Sequence, residues 1–312
     1  MPLASSTLPI IEVASFGLAK GAVFALLALG LVLIYRTTGV TNFAHWGIGL
    51  SGIVVYFLLS SKAGVSTPVA AVLSIAACAA LGAIAYRVVF RYVKRTNQLV
   101  LILIALGVAQ FFAAAAAWGL GFSPTTIIKP WLPVSNIKIG SASLLSTQLI
   151  AAAVAVVISL AFLPWFRFSR TGRALRAVAQ NREAASLTGI DEHRYSMIAW
   201  AIGSALAGLA LLLIIPHTSG QSGGVITTAD TTPFGNFLIP AFGAALVGGL
   251  VNLPLAVIGG FVFGLAQEMM ILAPSPWSGL RTTIAAILIV VLLLLHTERF
   301  FVARAEQEAL EA

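Results

Sequence analysis

Few residue types carry chemistry in a polypeptide, and this chain is poor in them. Its four histidines (His45, His193, His217 and His296) lie far apart in sequence. A lone cysteine, Cys78, sits inside an apolar run. A structural or catalytic metal needs three or four nitrogen, sulfur or carboxylate ligands. His45 has no such partner near it in sequence, so no metal site is expected. Cys78 cannot build a disulfide framework and reads as a small packing residue. The glycine runs lack the G-x-x-x-x-G-K-[ST] spacing whose amides cradle phosphates. No nucleophile–base–acid wording is present either. The chain is therefore not expected to be an enzyme or to bind a cofactor of its own. An integral-membrane enzyme would also need His and carboxylate clusters that are missing.

Ionisable residues inside apolar stretches are functional candidates, and here they are Lys20, Glu12 and Glu268. Glu12 and Lys20 stand about two helical turns apart, on a similar face but too distant to pair directly. Lys20 either faces a lumen and attracts an anionic substrate group or snorkels to the membrane edge. Glu268 is read as the solvated end of its span.

The elements that hold these groups follow from composition. Of 312 residues, 59% are hydrophobic and 9% charged, against about 25% charged in soluble domains. Disordered chains are poor in aliphatics and rich in charge, so disorder is excluded as well. The solvent of this chain is lipid, and the fold class is an all-α polytopic transmembrane helical bundle. A span needs about 20 apolar residues. Candidates run over 10–35, 46–59, 68–90, 98–119, 147–166, 195–215, two short segments within 237–272 broken near 251–254, and 284–295. Because three of these are short, about 8 to 10 spans are expected.

The formal net charge is +8. Nucleic acid is not the expected partner, because basic residues collect in cytoplasmic loops of membrane proteins. Arg87, Arg91, Lys94 and Arg95 form one basic loop, and Arg167, Arg170, Arg173, Arg176, Arg182 and Arg194 another. Two spans separate them, so both fall on the cytoplasmic side. The tail with Arg299 and Arg304 joins them, which puts the C-terminus inside and the N-terminus outside. No basic region precedes Lys20, so a cleaved signal peptide is not expected. The loops at 122–143 and 216–236 become external, and Asp230 lies in the second, a polar surface or a solvated connection.

Two further patterns concern helix contacts and breaks. Gly17 and Gly21, and Gly260 and Gly264, have GxxxG spacing, while Gly248–Gly249 and Gly259–Gly260 are pairs. Small residues let backbones approach closely in lipid, either within one subunit or against a partner. Gly39, Asn42 and His45 in the link between the first two spans suggest a broken or re-entrant backbone. Irregular backbone at membrane depth survives only where it is buried or lines a cavity. Asn42, Phe43 and His45 are accordingly candidates for a pathway or gate, unless the link is a simple turn at the interface.

The segment TGRALRAVAQNREAASLTGI, 171–190, breaks the apolar chain with helix formers. It reads as one short cytoplasmic helix, with Thr171 as N-cap and Gly189 as C-cap. Arg173, Arg176, Ala177 and Gln180 share a face at helical spacing. Such a helix either docks on another protein or only anchors topology.

Here a resemblance enters. Glu183-Ala184-Ala185, with Gly189 four residues on, resembles the opening of the EAA…G loop of bacterial ABC importer permeases. The blocks at 21–45, 172–190, 203–213 and 245–267 are similar, in order, to permeases of the branched-chain amino acid ABC importer family, in the first of its two permease types. The resemblance implies a single permease domain over 1–312 in the bacterial inner membrane. It implies a second related permease, two cytoplasmic ATPase subunits that hold ATP and Mg, and an extracytoplasmic solute-binding protein. Arg173, Arg176, Glu183, Ala184, Ala185 and Gly189 would lie in the helix (about 172–190) that couples to the ATPase. The cargo implied is a branched-chain amino acid or another small polar solute such as an amide or urea. The chain departs from the family by lacking the I-x-L-P ending of the wider importer motif. It also has Trp46-Gly47 where Gly-Glu is expected after NFAH, which removes the acid from that turn. The competing expectation is a stand-alone secondary transporter or channel. It is disfavoured by the scarcity of membrane carboxylates for ion coupling. A sugar-type permease is the sibling reading within the ABC class.

Overall fold

The computed structural model describes residues 10–93, 98–120, 125–128, 130–132, 135–139, 142–222, 225–227, 234–275, 277–281 and 283–294. Arg299 and Arg304, with the expected cytoplasmic tail, and Asp230, Lys94 and Arg95 lie outside the described residues.

Leucine, alanine and valine dominate Ile10–Thr38 and hold it helical throughout as α1. At 1.5 Å per residue its 29 residues reach about 43 Å, more than a bilayer core needs. After a short irregular link come α2 (His45–Phe57), closed by a π turn at Leu58–Lys62, and α3 (Thr67–Ala85), closed by a π turn at Tyr86–Phe90. Then follow α4 (Gln98–Gly119) and α5 (Ser146–Phe168), the short α6 (Arg170–Gln180) and α7 (Arg182–Leu187), and α8 (Glu192–Ser222). The chain continues with α9 (Phe234–Val247), α10 (Leu253–Met269) and α11 (Ile284–Leu294). Six of these segments are long and apolar enough to span a membrane, and α9 and α11 are shorter apolar helices. Every span read from the sequence coincides with a helix. By length and composition, the chain crosses a membrane several times. Four short strands form two antiparallel pairs, β1 (Thr125–Ile127) with β4 (Val225–Thr227) and β2 (Asn136–Ile139) with β3 (Ala142–Leu145).

The helices alternate in direction. Ser15 of α1 donates to Gln148 at the start of α5, whereas Arg36, near the end of α1, lies over Phe166 near the end of α5. Tyr86, past the end of α3, meets His193 at the start of α8. The finishes of α1, α3 and α5 and the start of α8 therefore share one end, here the arginine end. Trp131 donates its indole N–H to the Leu212 carbonyl (2.9 Å), which places the β-strand loops at the opposite end.

α1 is the axis of the bundle. The share of its apolar window that is buried is 89%, against 22% for α4, so α1 is a core and α4 a perimeter. The perimeter shows large apolar side chains outward: Val72 and Ile84 on α3, Leu103, Phe111 and Trp118 on α4, Val157 and Leu160 on α5. In water such a belt would drive aggregation; in lipid it is the solvated surface.

The closest packing is α1 against α10. A Cβ added at Gly21 would stand 2.7 Å from Phe261 Cα, and one at Gly264 would run into the Gly21 backbone. The two GxxxG pairs thus pack against each other within this chain. Gly248 and Gly249 do something different: they turn α9 into α10, with Gly249 at φ 59°, and Asn252 caps α10 by accepting from Leu255 N–H (3.2 Å).

One expectation fails in detail. Residues 171–190 form two helices, because Asn181 is extended (φ −155°, ψ 115°) and its side chain caps α7 by accepting from Ala184 N–H at 2.9 Å. The N-cap of α6 is Ser169, which accepts from Gly172 N–H (2.9 Å), and Thr171 lies inside the helix. A helix-period reading passes over such a break, although Asn is disfavoured inside helices and among the best N-cap residues, so Asn181 carried a local signal for it.

Overpacking the α1–α10 contact should destabilise the bundle. Gly264→Leu is expected to cost about 1–3 kcal/mol or more, while Gly107→Leu, where an added Cβ meets nothing within 4 Å, should stay within about 0.5 kcal/mol. Thermal unfolding in nanodiscs compares the two, and equal losses would refute the close-packed interface.

Candidate functional site

At the arginine end, a polar elbow is built on helix termini. The last carbonyls of α5 have no partner within their own helix, and arginines of α6 reach back to them. Arg173 donates to the Phe168 carbonyl (2.5 Å) and Arg176 to that of Phe166. Arg36 and Arg176 both lie over the Phe166 ring, at 5.2 and 5.7 Å, a cation–π arrangement. The apolar face of α6, through Ala174, Leu175 and Val178, is buried beneath. Arg173 and Arg176 thus both bond carbonyls at the end of α5, Arg173 from an exposed position and Arg176 from a half-buried one.

α7 follows through the Asn181 break. Its far end is closed by Gly189 at φ 81°, with Ile190 N–H donating to the Ala185 carbonyl and Gly189 N–H to that of Ser186, both at 3.0 Å. This is the left-handed helix stop that glycine adopts at least cost. Ala185 is buried, and Glu183, Ala184 and Gly189 sit in the exposed or half-exposed part of the elbow. Arg182, not singled out by the sequence, joins the elbow to the core: its Nη2 donates to the Thr37 carbonyl at 2.6 Å.

Thr37 stands at the end of α1, just before the irregular link. That link is a buried break. Gly39 takes φ 67°, and the backbone runs through short turns, Phe43 N–H to Thr41 carbonyl (3.0 Å) and His45 N–H to Asn42 carbonyl (3.3 Å). Asn42 is 1% exposed and His45 0%. Both amide atoms of Asn42 lack a hydrogen-bond partner among the described residues, and the His45 ring lies against the Leu27 backbone of α1 without a well-aligned hydrogen bond. The His45 ring lies on Gly30 of α1, where an added Cβ would come within 2.5 Å of Cε1, and Gly203 of α8 closes the same crossing. Phe43 packs on Phe242 of α9 (5.7 Å between ring centres). Asn42, Phe43 and His45 therefore do gather, at the junction of α1, α2, α8 and α9.

Lys20 does not join them. It lies ten residues before Gly30 on α1, about 15 Å along the axis, in the other half of the bundle. Its Nζ contacts Glu268 Oε1 at 2.6 Å, and Arg281 Nη2 bonds the same carboxylate at 2.6 and 2.5 Å. The Glu268 side chain is 1% exposed. The reading of Glu268 as a solvated span end is therefore corrected: it is the buried centre of an ion triad tying α1, α10 and the short helical turn at Trp277–Arg281. One sign was available in sequence. Lys20 and Glu268 are opposite charges inside spans, and charges in lipid pair with one another. Arg281 was not found that way, because it lies at the end of the short helical turn ahead of α11, outside the span as drawn over 284–295.

Removing one member of a buried pair leaves its partner uncompensated. Here the two cations keep part of their water, so Glu268→Gln is expected to cost about 1–3 kcal/mol. Replacing Lys20, Glu268 and Arg281 together by methionine should recover most of that loss. Thermal melts of the two variants decide it; an unchanged Glu268→Gln protein would show that the triad carries no stability.

Similarity to known proteins bears on what these sites serve. The pattern of a family described as "Branched-chain amino acid transport system / permease component" matches residues 13–297. The high-affinity branched-chain amino acid transport system permease protein LivH of Escherichia coli K12 is 32% identical over 267 residues, covering 81% of this chain and 83% of that protein. The permease protein BraD of Pseudomonas aeruginosa is 30% identical over 266 residues, covering 80% and 83%. The ribose import permease protein RbsC of E. coli K12 is 23% identical over 237 residues, covering 74% and 67%.

Proposed function

Because the chain belongs to the branched-chain amino acid transport permease family, we propose that it is the permease subunit of an ATP-binding-cassette importer for branched-chain amino acids or a related small polar solute. The whole chain, 1–312, acts as one permease domain. It pairs with a second, related permease to enclose the pathway, takes solute from an extracytoplasmic binding protein, and is driven by two cytoplasmic ATPase subunits. ATP and Mg reside on those partners, and this chain binds no cofactor. The arginine end faces the cytoplasm, in line with the clustering of basic residues on that side of membrane proteins. LivH and BraD, named for branched-chain amino acids, are more similar than RbsC, named for ribose, which favours an amino-acid-like cargo over a sugar.

The observation that carries this reading is the bond from Arg182 to the Thr37 carbonyl. An importer must convey closure of its ATPases to the spans through a discrete two-state element. The elbow of α6 and α7 is rigid on its inner side, where Arg176 and the apolar face of α6 hold it to α1 and α5. Its outer side offers Glu183, Ala184 and Gly189. A push on α7 reaches Thr37 and, a few residues on, the buried break at Asn42 and His45. Those residues then act as the gate, since the buried Asn42 amide and the His45 ring can gain partners when α1 moves against α8. Ion-gradient coupling is a weaker account. Among the described residues the long helices hold carboxylates at Glu12 and Glu192, both near helix starts, and at Glu268, which is already paired.

Two substitutions separate assembly from transmission. Glu183→Arg with Gly189→Val is expected to release the ATPase subunits during co-purification, since valine is strained at the left-handed φ of Gly189. Arg182→Gln should keep the ATPase bound but lower solute uptake about tenfold, the effect of roughly 1.4 kcal/mol. Full uptake and assembly in both variants would remove the elbow from the mechanism.

A further inference from the structure

A second feature of the arginine end is used by none of this. Between the π turn that ends α3 and the first turn of α8 lies a cavity of about 410 Å³, lined by Tyr86, Arg87, Arg91, Asp191, His193 and Arg194. The Tyr86 hydroxyl and His193 Nδ1, 3.1 Å apart, tie its two walls together. Three arginines line it, Arg87, Arg91 and Arg194, all exposed, with the Arg91 guanidinium 6.0 Å over the Tyr92 ring. Arg87, Arg91 and Arg194 form no ion pair with a carboxylate among the described residues. Asp191 is committed elsewhere: its Oδ1 accepts from the backbone N–H of His193 (2.9 Å) and Arg194 (3.1 Å) and so caps α8. Glu192 sits 3.7 Å from His193 Nε2. The cavity is thus cationic with its one lining carboxylate occupied, and its missing partner is an anion.

The same segment indicates what the anion is attached to. Ile84, Val88 and Tyr92 recur every four residues and are 54%, 65% and 72% exposed. Arg87 and Arg91, on the same four-residue spacing, run beside this stripe. An apolar stripe leading off a membrane-spanning helix, with arginines at its tip, matches an acyl chain that ends in a charged headgroup. We propose that the cavity binds the phosphate headgroup of an anionic phospholipid, whose chains follow Val88 and Ile84 back along α3. Basic pockets between membrane helices bind anionic headgroups by the same physics, and arginine forks match phosphate oxygens bidentately. Free phosphate shares the anion chemistry but would leave the apolar stripe uncovered. An acidic protein segment would match the arginines and equally ignore the stripe. The bound lipid braces α3 against α8, one residue beyond the end of the α6–α7 elbow. The inference requires only that the arginine end lie at a membrane–water interface, whichever compartment it faces, so it stands or falls separately from the coupling mechanism.

The test is native mass spectrometry of the assembled transporter titrated with phosphatidylglycerol against phosphatidylcholine. The wild type is expected to retain phosphatidylglycerol preferentially. The R87Q/R91Q/R194Q protein should bind it on the order of a hundredfold more weakly, since each arginine near the headgroup is worth about fivefold. The R87K/R91K/R194K protein keeps the charge and should retain most of the preference. Inorganic phosphate at millimolar concentration should not displace the lipid. No preference in the wild type overturns the proposal without any substitution. So does equal retention by the glutamine variant, or displacement by inorganic phosphate, which would mark a free-anion site. Loss of a partner subunit from the glutamine variant with lipid retention unchanged would assign the cavity to a protein and overturn it as well.

Discussion

Everything in this bundle hangs on how closely α1 can be approached. In lipid no hydrophobic effect drives helix association, so dispersion between tightly fitted surfaces must. Dispersion falls away within an ångström of gap. The surface that meets α10 is cut from Gly17, Gly21, Gly260 and Gly264, and an added methyl there runs into backbone. The crossing with α8 repeats the device at Gly30 and Gly203, with the His45 ring as the third component. Because α1 is enclosed on nearly all sides, a shift of its end is felt by α2, α8, α9 and α10 together.

The polar chemistry is distributed around that axis by depth. In the half away from the arginine end, Lys20, Glu268 and Arg281 settle one another's charge. At the arginine end, by contrast, Asn42 is buried with both amide atoms unmatched, and His45 is buried beside it. A satisfied network stiffens, and an unsatisfied one is costly in a low dielectric. The contrast separates a clamp from a place where two arrangements can be close in energy. The elbow that bonds to Thr37 adjoins the second kind, which is where a signal arriving from α7 has something to change.

The sequence was most legible where one physical rule dominated. Span positions follow from apolar length, because a backbone in lipid must satisfy its own hydrogen bonds within the segment; the break between α9 and α10 was visible from Pro254 and the neighbouring glycines. GxxxG spacing marked the packing residues but not whether they face a partner or another helix of the same chain. The single helix read over 171–190 proved to be two. Asn181 is a favoured N-cap by type, and a reading by helical period alone passes over it; only the bond from Arg182 to the Thr37 carbonyl shows what the turn brings together.

The sequence alone therefore determined the solvent, the helical class, the order and limits of the spans, and, through the blocks at 21–45, 172–190, 203–213 and 245–267, the family. These rest on composition and short-range periodicity, which are properties of contiguous residues. Tertiary structure alone decided who meets whom. It turned Glu268 from a helix end into the centre of a triad with Lys20 and Arg281, residues 248 and 13 positions away. It also spent Arg173 and Arg176 on the end of α5, and gathered Arg87, Arg91 and Arg194 around one cavity. The reason is that charge in a membrane protein is settled between helices, across separations that no local pattern spans.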